Sequence, residues 1–238
     1  MEKLTYSARF INAYNRLDKS LRDIYGLKSV LNFSDMIRKV APINSVIKKY
    51  EDDIIDYGRL RNAIVHRSTD ETIAEPHEEV VEKFESIVRQ ITTPPIAMSS
   101  IVTRKVYTID SSEKLSNVLM EMFKQGYSNV PVYEDNKLIG VITRKMIVDC
   151  FGEGIVAGVS TDSIISMSVA ESLNIYHATE HYEVVDKNIT VDNLLYIFQQ
   201  NRKLSCVIIT ESGSYSERPL GIVVTADTID MQTILDNY

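Results

Sequence analysis

The feature that most constrains this chain is an internal repeat. Ile109-Asp110 recurs as Val185-Asp186, Val118-Leu119 as Leu194-Leu195, and Met122 as Phe198. Val130-Pro131-Val132-Tyr133 recurs as Cys206-Val207-Ile208-Ile209, and all these pairs read as 76 residues apart without a gap. After five extra residues around Ser212 to Arg218, Gly140-Val141-Ile142 recurs as Gly221-Ile222-Val223, now 81 apart. One such match arises by chance; an ordered series does not. Short β-rich runs alternate with single helical stripes, so each copy reads strand, helix, strand, turn, strand, helix. Two similar βαββα units are expected to pack with pseudo-twofold symmetry and to leave clefts between them.

The repeat fills about residues 96–238, with a first copy at about 96–151, a second at about 176–238 and a linker over 152–175. The residues before it follow another rule. Phe10, Tyr14, Leu17, Leu21 and Ile24 recur at helical spacing, and Gly26 follows as a stop signal. Ser34 and Asp35 suit the cap of a short second helix before Pro42. Asn44 and Ser45 open a longer one with the stripe Ile47, Tyr50, Ile54, Tyr57, Leu60 and Ile64. Pro76 suits the first turn of a last helix carrying Val80, Phe84, Ile87 and Ile91. None of these stripes can be buried alone, so residues 1–92 are expected to form a bundle. Pro94-Pro95 closes it with an extended linker. The expected fold class is α+β: an N-terminal helical bundle followed by a tandem βαββα repeat.

Charge divides the chain at the same place. Residues 1–92 carry equal numbers of basic and acidic side chains, so the whole formal charge of −7 lies in residues 93–238. That half is a poor bulk partner for nucleic acid. The longest apolar runs are far shorter than the roughly 20 residues a membrane helix needs. The start, Met1-Glu2-Lys3-Leu4-Thr5, lacks the apolar stretch of a signal peptide. Cys150 and Cys206 sit in apolar settings and read as buried thiols of a reducing compartment, so the expected location is cytoplasmic.

Tyr127-Ser128-Asn129-Val130-Pro131-Val132-Tyr133-Glu134, followed by Lys137-Leu138-Ile139-Gly140-Val141-Ile142-Thr143, resembles the cystathionine-β-synthase-type (CBS) domain, and the repeat resembles a tandem pair of them, a Bateman module. The resemblance implies a sensor of an adenine nucleotide: AMP, ATP, S-adenosylmethionine or a dinucleotide. It also implies a homodimer; that no metal and no membrane contact are expected rests instead on the spacing of His177 and His181 and on the short apolar runs. The family's ribose motif runs Gly, two apolar residues, Thr or Ser, two residues, Asp. A carboxylate suits that last position because it accepts a hydrogen bond from each ribose hydroxyl. The first copy has Gly140 and Thr143 but Met146 in place of Asp; the second has Gly221 and Asp227 but Val224 in place of Thr. One competent site is therefore expected around Asp227, with Thr225 as a shifted hydroxyl. The resemblance places Asn129-Val130-Pro131 and Ser205-Cys206-Val207 along the adenine clefts and offers Arg144, Lys145, Arg202 and Lys203 for phosphate. The alternative for Asp227 is a helix cap, and some pairs of this family bind nothing and only dimerise.

In the helical half, Arg61 is followed after four residues by His66, with the polar Asn62 just after the Arg. This resembles the Arg-x4-6-His motif of HEPN-type bundles, many of which are metal-independent ribonucleases. A histidine suits the base and an arginine the phosphate cation, with RNA as the implied partner. Five helical steps put the two side chains about 140° apart, so the plain alternative is a solvated helix face paired with Asp52, Asp53 or Asp56.

Other signals are weaker. Gly152 to Gly158 imitates a dinucleotide loop with one interval too long, and reads as a flexible linker. His177 and His181 are four apart where a strand is expected to begin, which separates them by about 13 Å and argues against a metal. No phosphate-loop motif or Gly-x-Ser-x-Gly elbow is present.

Overall fold

A computed structural model describes residues 4–65, 74–102, 105–175 and 181–238. The chain forms two compact units. One comprises Met1–Pro95, Val191–Asn193 and Thr233–Tyr238; the other comprises Ile96–Thr190 and Leu194–Gln232.

The first unit is helical. Helix α1 (Tyr6–Tyr25) is capped by the Thr5 hydroxyl and ends at Gly26, whose φ of 59° suits a residue without a side chain. Helix α2 (Phe33–Val40) is capped by Asn32, two residues before Ser34 and three before Asp35. Asn32 wins because its side-chain oxygen reaches the Asp35 N–H at 2.8 Å. The long third stripe is broken into α3 (Ser45–Lys49) and α4 (Glu51–Ile64), with Tyr50 at the break in a non-helical conformation. Helix α5 (Glu78–Thr92) starts two residues beyond Pro76. Phe10 of α1, Tyr57 of α4 and Phe84 of α5 meet as an aromatic cluster, with ring centroids 4.6–6.0 Å apart. Phe10 and Phe84 are fully buried, so each contributes roughly 2–3 kcal/mol through burial alone.

The second unit holds the repeat, apart from Val191–Asn193 and Thr233–Tyr238. Its elements are α6 (Ala97–Ser100), β1 (Ile109–Asp110), α7 (Leu115–Gln125), β2 (Asn129–Glu134), β3 (Lys137–Thr143) and α8 (Arg144–Val156). These are followed by α9 (Thr161–Ser166), α10 (Val169–Ile175), β4 (Tyr182–Asp186), α11 (Val191–Gln200), β5 (Cys206–Thr210), β6 (Gly221–Val224) and α12 (Thr228–Asn237). Residues 152–175 are thus mostly helical, not an open linker: Ile164 and Val169 are fully buried, and Gly154 lies directly against Ile164.

Each copy contributes a three-stranded sheet, β1-β2-β3 and β4-β5-β6, with the first pair parallel and the second antiparallel. Register corrects the repeat arithmetic. Ile109 pairs with Val132 where Val185 pairs with Ile209, and Val132 pairs with Gly140 where Ile209 pairs with Gly221. The strand β2 therefore matches β5 with an offset of 77, not 76, and Val130 corresponds to Val207, Ser128 to Ser205 and Asn129 to Cys206. The extra residue lies in the turn after α11. A slip of one flips every side chain to the other face of a strand. With the corrected register the faces agree. Val130, Val132 and Ile142 pack on α7 and α8 with Val118, Met122 and Ile147. On the opposite faces Tyr133, Leu138 and Val141 meet Cys206 and Ile208 from the other sheet, flanked by Ile222 and Val224.

The two copies exchange their leading segments. The Ala97 N–H donates to the Ile189 carbonyl at 2.9 Å, and the Val169 N–H donates to the Glu113 carbonyl at 2.8 Å. Ile96 bridges Thr190, and Lys114 bridges Ser168. Leu173 of α10 packs on Gly140 of the first copy, while Met98 and Val102 at the head of the first copy pack on Gly221 of the second. A Cβ at either glycine would stand about 2.8–3.1 Å from these side chains, which is why both positions are glycine. These paired contacts are the signature of a pseudo-twofold axis. Among the described residues no helix is long and apolar enough to cross a membrane.

Candidate functional site

The pseudo-dyad produces two related cavities in the repeat. The larger, about 350 Å³, is walled by Lys105, Val106, Tyr107 and Gly126 to Asn129 of the first copy and by Ile222, Val224 and Asp227 of the second. The smaller, about 90 Å³, is walled by His181, Tyr182 and Ser205 of the second copy and by Val141, Thr143, Lys145, Met146, Asp149 and Glu153 of the first. The walls correspond: Ile222, Val224 and Asp227 stand where Val141, Thr143 and Met146 stand, and Ser128 stands where Ser205 stands. Only the larger cavity falls within the roughly 300–1,000 Å³ of small-molecule sites.

The motif residues divide two local tasks. In the first copy the Thr143 hydroxyl accepts the Met146 N–H at 3.1 Å and caps α8. In the second, Val224 has no hydroxyl to offer, and Asp227 reaches back so that its Oδ2 accepts the Val224 N–H at 2.8 Å. Each copy has kept one half of a capping box. The cap occupies one lone pair of Asp227; an ionised carboxylate offers about four, so it retains capacity toward the cavity it lines.

The residues expected from the sequence are thus distributed unevenly. Asp227, Val224 and Asn129 come together in the larger cavity; Thr143, Lys145 and Ser205 come together in the smaller. Thr225 joins neither: its hydroxyl donates to the Leu204 carbonyl at 2.9 Å. Val130, Pro131 and Val207 are buried within the strands rather than lining a cavity. Cys206 belongs to the core between the sheets, where burial pushes its thiol up to about 12. Arg144 is occupied structurally, its Nε donating to the Tyr127 carbonyl at 3.0 Å. Lys145 pairs with Asp149, and Arg202 and Lys203 are exposed on a turn away from both cavities.

Three wall residues were not singled out from the sequence. Tyr107 and Tyr127 stack at 5.4 Å with an interplanar angle of 12°, forming an aromatic wall, and burial raises the Tyr107 hydroxyl above its ordinary pKa. Lys105 supplies a cation beside them. Tyr127 lies inside the repeat motif and was legible there; Tyr107 and Lys105 precede β1 in a stretch without periodic signal.

In the helical unit Arg61 and Asn62 have different surroundings. Asn62 lines a surface cavity with Tyr14, Arg38 and Arg59. The Arg61 guanidinium sits 5.7 Å over the Tyr14 ring, and its Nε is buried with no hydrogen-bond partner among the described residues. His66 and His177 lie outside the described residues. Among the described residues no three His, Cys, Asp or Glu side chains are grouped to hold a metal.

Residues 98–153 match the family model of the CBS domain. A curated relative, inosine-5'-monophosphate dehydrogenase of Thermoplasma acidophilum, is 22% identical over 180 residues, which cover 76% of this chain. The chain spans only 29% of that relative's length. Among solved structures, the CBS domain of a bacterial CNNM/CorC-family Mg2+ transporter in complex with ATP is 23% identical over 66% of this chain and 98% of its own, with a TM-score of 0.45. The CBS domain of a CBS domain containing membrane protein from Sphaerobacter thermophilus is 15% identical over 64% of this chain and 97% of its own, with a TM-score of 0.47.

Proposed function

We propose that the repeat unit is a regulatory sensor that binds one adenine nucleotide per chain in the larger cavity, and that the helical unit is the effector or dimerisation part. The observation that carries this is Asp227: a carboxylate of one copy at the wall of a ligand-sized cavity whose opposite wall comes from the other copy. Asp227 accepts the two ribose hydroxyls, Tyr107 and Tyr127 offer a surface for the base, and Lys105 faces the phosphate. Ligands of the class are AMP, ATP, S-adenosylmethionine and dinucleotides. Because both copies wall the cavity, a nucleotide that prefers one relative arrangement of the copies shifts the population toward it.

A homodimer follows from exposed apolar side chains that the repeat places twice. Met120 and Tyr196 are equivalent, as are Val148 and Ile229, and all four are exposed together with Phe123, which is 88% exposed. Apolar groups exposed at matched positions suit a second copy of this chain. Two buried cysteines that form no disulfide suit a reducing, cytoplasmic setting. The packing of Arg61 against Tyr14 favours its structural reading over a ribonuclease centre.

The test is a thermal-shift scan with AMP, ATP, S-adenosylmethionine and cyclic di-AMP. A ligand at 100 times its Kd adds about 2.7 kcal/mol, or roughly 5–10 °C in Tm for a protein of this size. No shift with any of them removes the sensor reading.

A further inference from the structure

We propose that the long connection between β5 and β6, residues 211–220, is a clasp that ties the two copies together at their hairpin ends, so that they move against each other at the cavity end, about the clasp as a pivot. The first copy has no counterpart: its β2 and β3 are joined by the two-residue turn Asp135-Asn136, with both residues at positive φ. The connection in the second copy is folded on itself. Glu217 accepts the Ser212 N–H and the Ser212 hydroxyl at 2.8 Å each, Gly213 donates its N–H to the Thr210 hydroxyl at 3.0 Å, and Ser212 bridges Asp186. A loop closed by its own side chains presents a fixed surface.

That surface meets the first copy. The Leu138 N–H donates to the Tyr215 carbonyl at 2.8 Å, the Tyr133 hydroxyl donates to the Glu217 carbonyl at 2.9 Å, and Arg218 Nη2 donates to Asn136 Oδ1 at 3.1 Å. The Arg218 guanidinium also lies 5.0 Å over the Tyr133 ring. Tyr133 and Leu138 are buried residues, so separating the copies here would leave both donors short of partners. The other end of the hairpins differs. Glu134 pairs with Lys137 and Ile209 with Gly221 at the clasp end; Asn129 pairs with Thr143 and Cys206 with Val224 at the far end, where both cavities lie. No hydrogen bond joins the described cavity walls of one copy to those of the other. Apolar contact holds the copies there, through Val141, Cys206 and Val224. Hydrogen bonds tolerate a narrow range of distance and angle whereas apolar contact is non-directional, so the tied end is the fixed one. The clasp also reaches the smaller cavity: the Tyr215 ring lies 6.3 Å from that of its wall residue Tyr182. The larger cavity has no such brace among the described residues, and it is the one free to open and close.

The clasp stands without the nucleotide reading above; its effect on binding rests on that reading, and the test keeps the two apart. The first arm follows amide exchange of the full chain by NMR without nucleotide. The Leu138 N–H, whose acceptor belongs to the other copy, is expected to be about as well protected as the Val207 N–H of the central strand β5. Arg218→Ala combined with Tyr133→Phe is expected to drop the protection of Leu138 at least about tenfold below that of Val207, with circular dichroism melting to confirm that the variant is folded. A gap of that size in the unaltered protein, or none in the variant, overturns the clasp. The second arm is calorimetric titration with AMP and ATP. The same variant alters no wall of either cavity, yet it is expected to bind about three- to tenfold more weakly, because copies without a pivot populate arrangements that do not bind. Asn136→Cys with Arg218→Cys, joined by a short bis-maleimide while the native cysteines stay buried, is expected to bind within about twofold of the unaltered protein. Undiminished affinity in the loosened variant, or a loss of more than about tenfold in the joined one, overturns the pivot. If neither nucleotide binds the unaltered protein, the sensor reading is overturned together with the effect of the pivot on binding, and the first arm alone decides the clasp.

Discussion

Replacing Asp227 separates its two tasks, because the cap is present without ligand and the ribose contact is not. The cap is one hydrogen bond from the Val224 N–H to Oδ2 at 2.8 Å. Losing such a cap costs about 1 kcal/mol. The ribose contact adds two hydroxyl donors to a charged acceptor, each worth about 1.5 kcal/mol, or together about 3 kcal/mol and roughly a 150-fold change in Kd. Asp227→Ala is therefore expected to lower the stability of the ligand-free protein by about 1 kcal/mol and to weaken nucleotide binding by about two orders of magnitude. Asp227→Asn keeps an oxygen for the Val224 N–H but loses the charge. Its stability should stay within about 0.5 kcal/mol of the parent while affinity falls about tenfold. Urea denaturation gives the first quantity and calorimetric titration the second. If Asp227→Ala loses stability but binds nucleotide as before, Asp227 is a cap alone and the site assignment is wrong.

Gly221→Ala would place a Cβ about 2.8–3.1 Å from Val102 and Met98, so it should cost roughly 1–3 kcal/mol in a denaturant titration; a neutral outcome would mean that the exchanged segments do not pack as described. Phe123→Glu combined with Val148→Glu removes two exposed apolar groups and should convert a dimer to a monomer in light scattering, with the melting temperature at low concentration unchanged. Glu217 accepts both the Ser212 N–H and the Ser212 hydroxyl at 2.8 Å, and these bonds hold its carboxyl below the ordinary glutamate pKa. Since the folded value is the lower one, the stabilisation is present above about pH 4.3 and is lost as pH falls through the folded value. Acid titrations of stability should therefore show a steeper fall in the parent than in Glu217→Gln; parallel curves would contradict the assignment.

Much of this architecture was legible in the sequence because duplication writes the same physical constraint twice. Asp110 and Asp186 show it: each closes a turn by accepting the N–H two residues on, from Ser112 at 3.0 Å and Asn188 at 2.8 Å. The strands after α7 and α11 were matched one residue out of step. Both candidate offsets align apolar with apolar residues there, and only the ladder decides which face each residue takes. That slip concealed the equivalence of Asn129 with Cys206. Asp227 was legible by its spacing from Gly221, whereas the Thr225 hydroxyl follows the backbone turn and finds the Leu204 carbonyl instead. The helices over 152–175 were hidden by glycines at 152, 154 and 158, yet Gly154 is small because Ile164 crosses it. In the bundle, the stripe from Ile47 to Ile64 is continuous in pattern, and periodicity does not reveal the break at Tyr50.

The most direct measurement is the stoichiometry of nucleotide binding to the full chain by calorimetry, with a co-crystal to locate the ligand. The account requires one adenosine moiety per chain, its ribose against Asp227, with the cavity beside Met146 empty. Two equivalent sites per chain, a ligand seated at Met146, or no heat with any adenine nucleotide would contradict it.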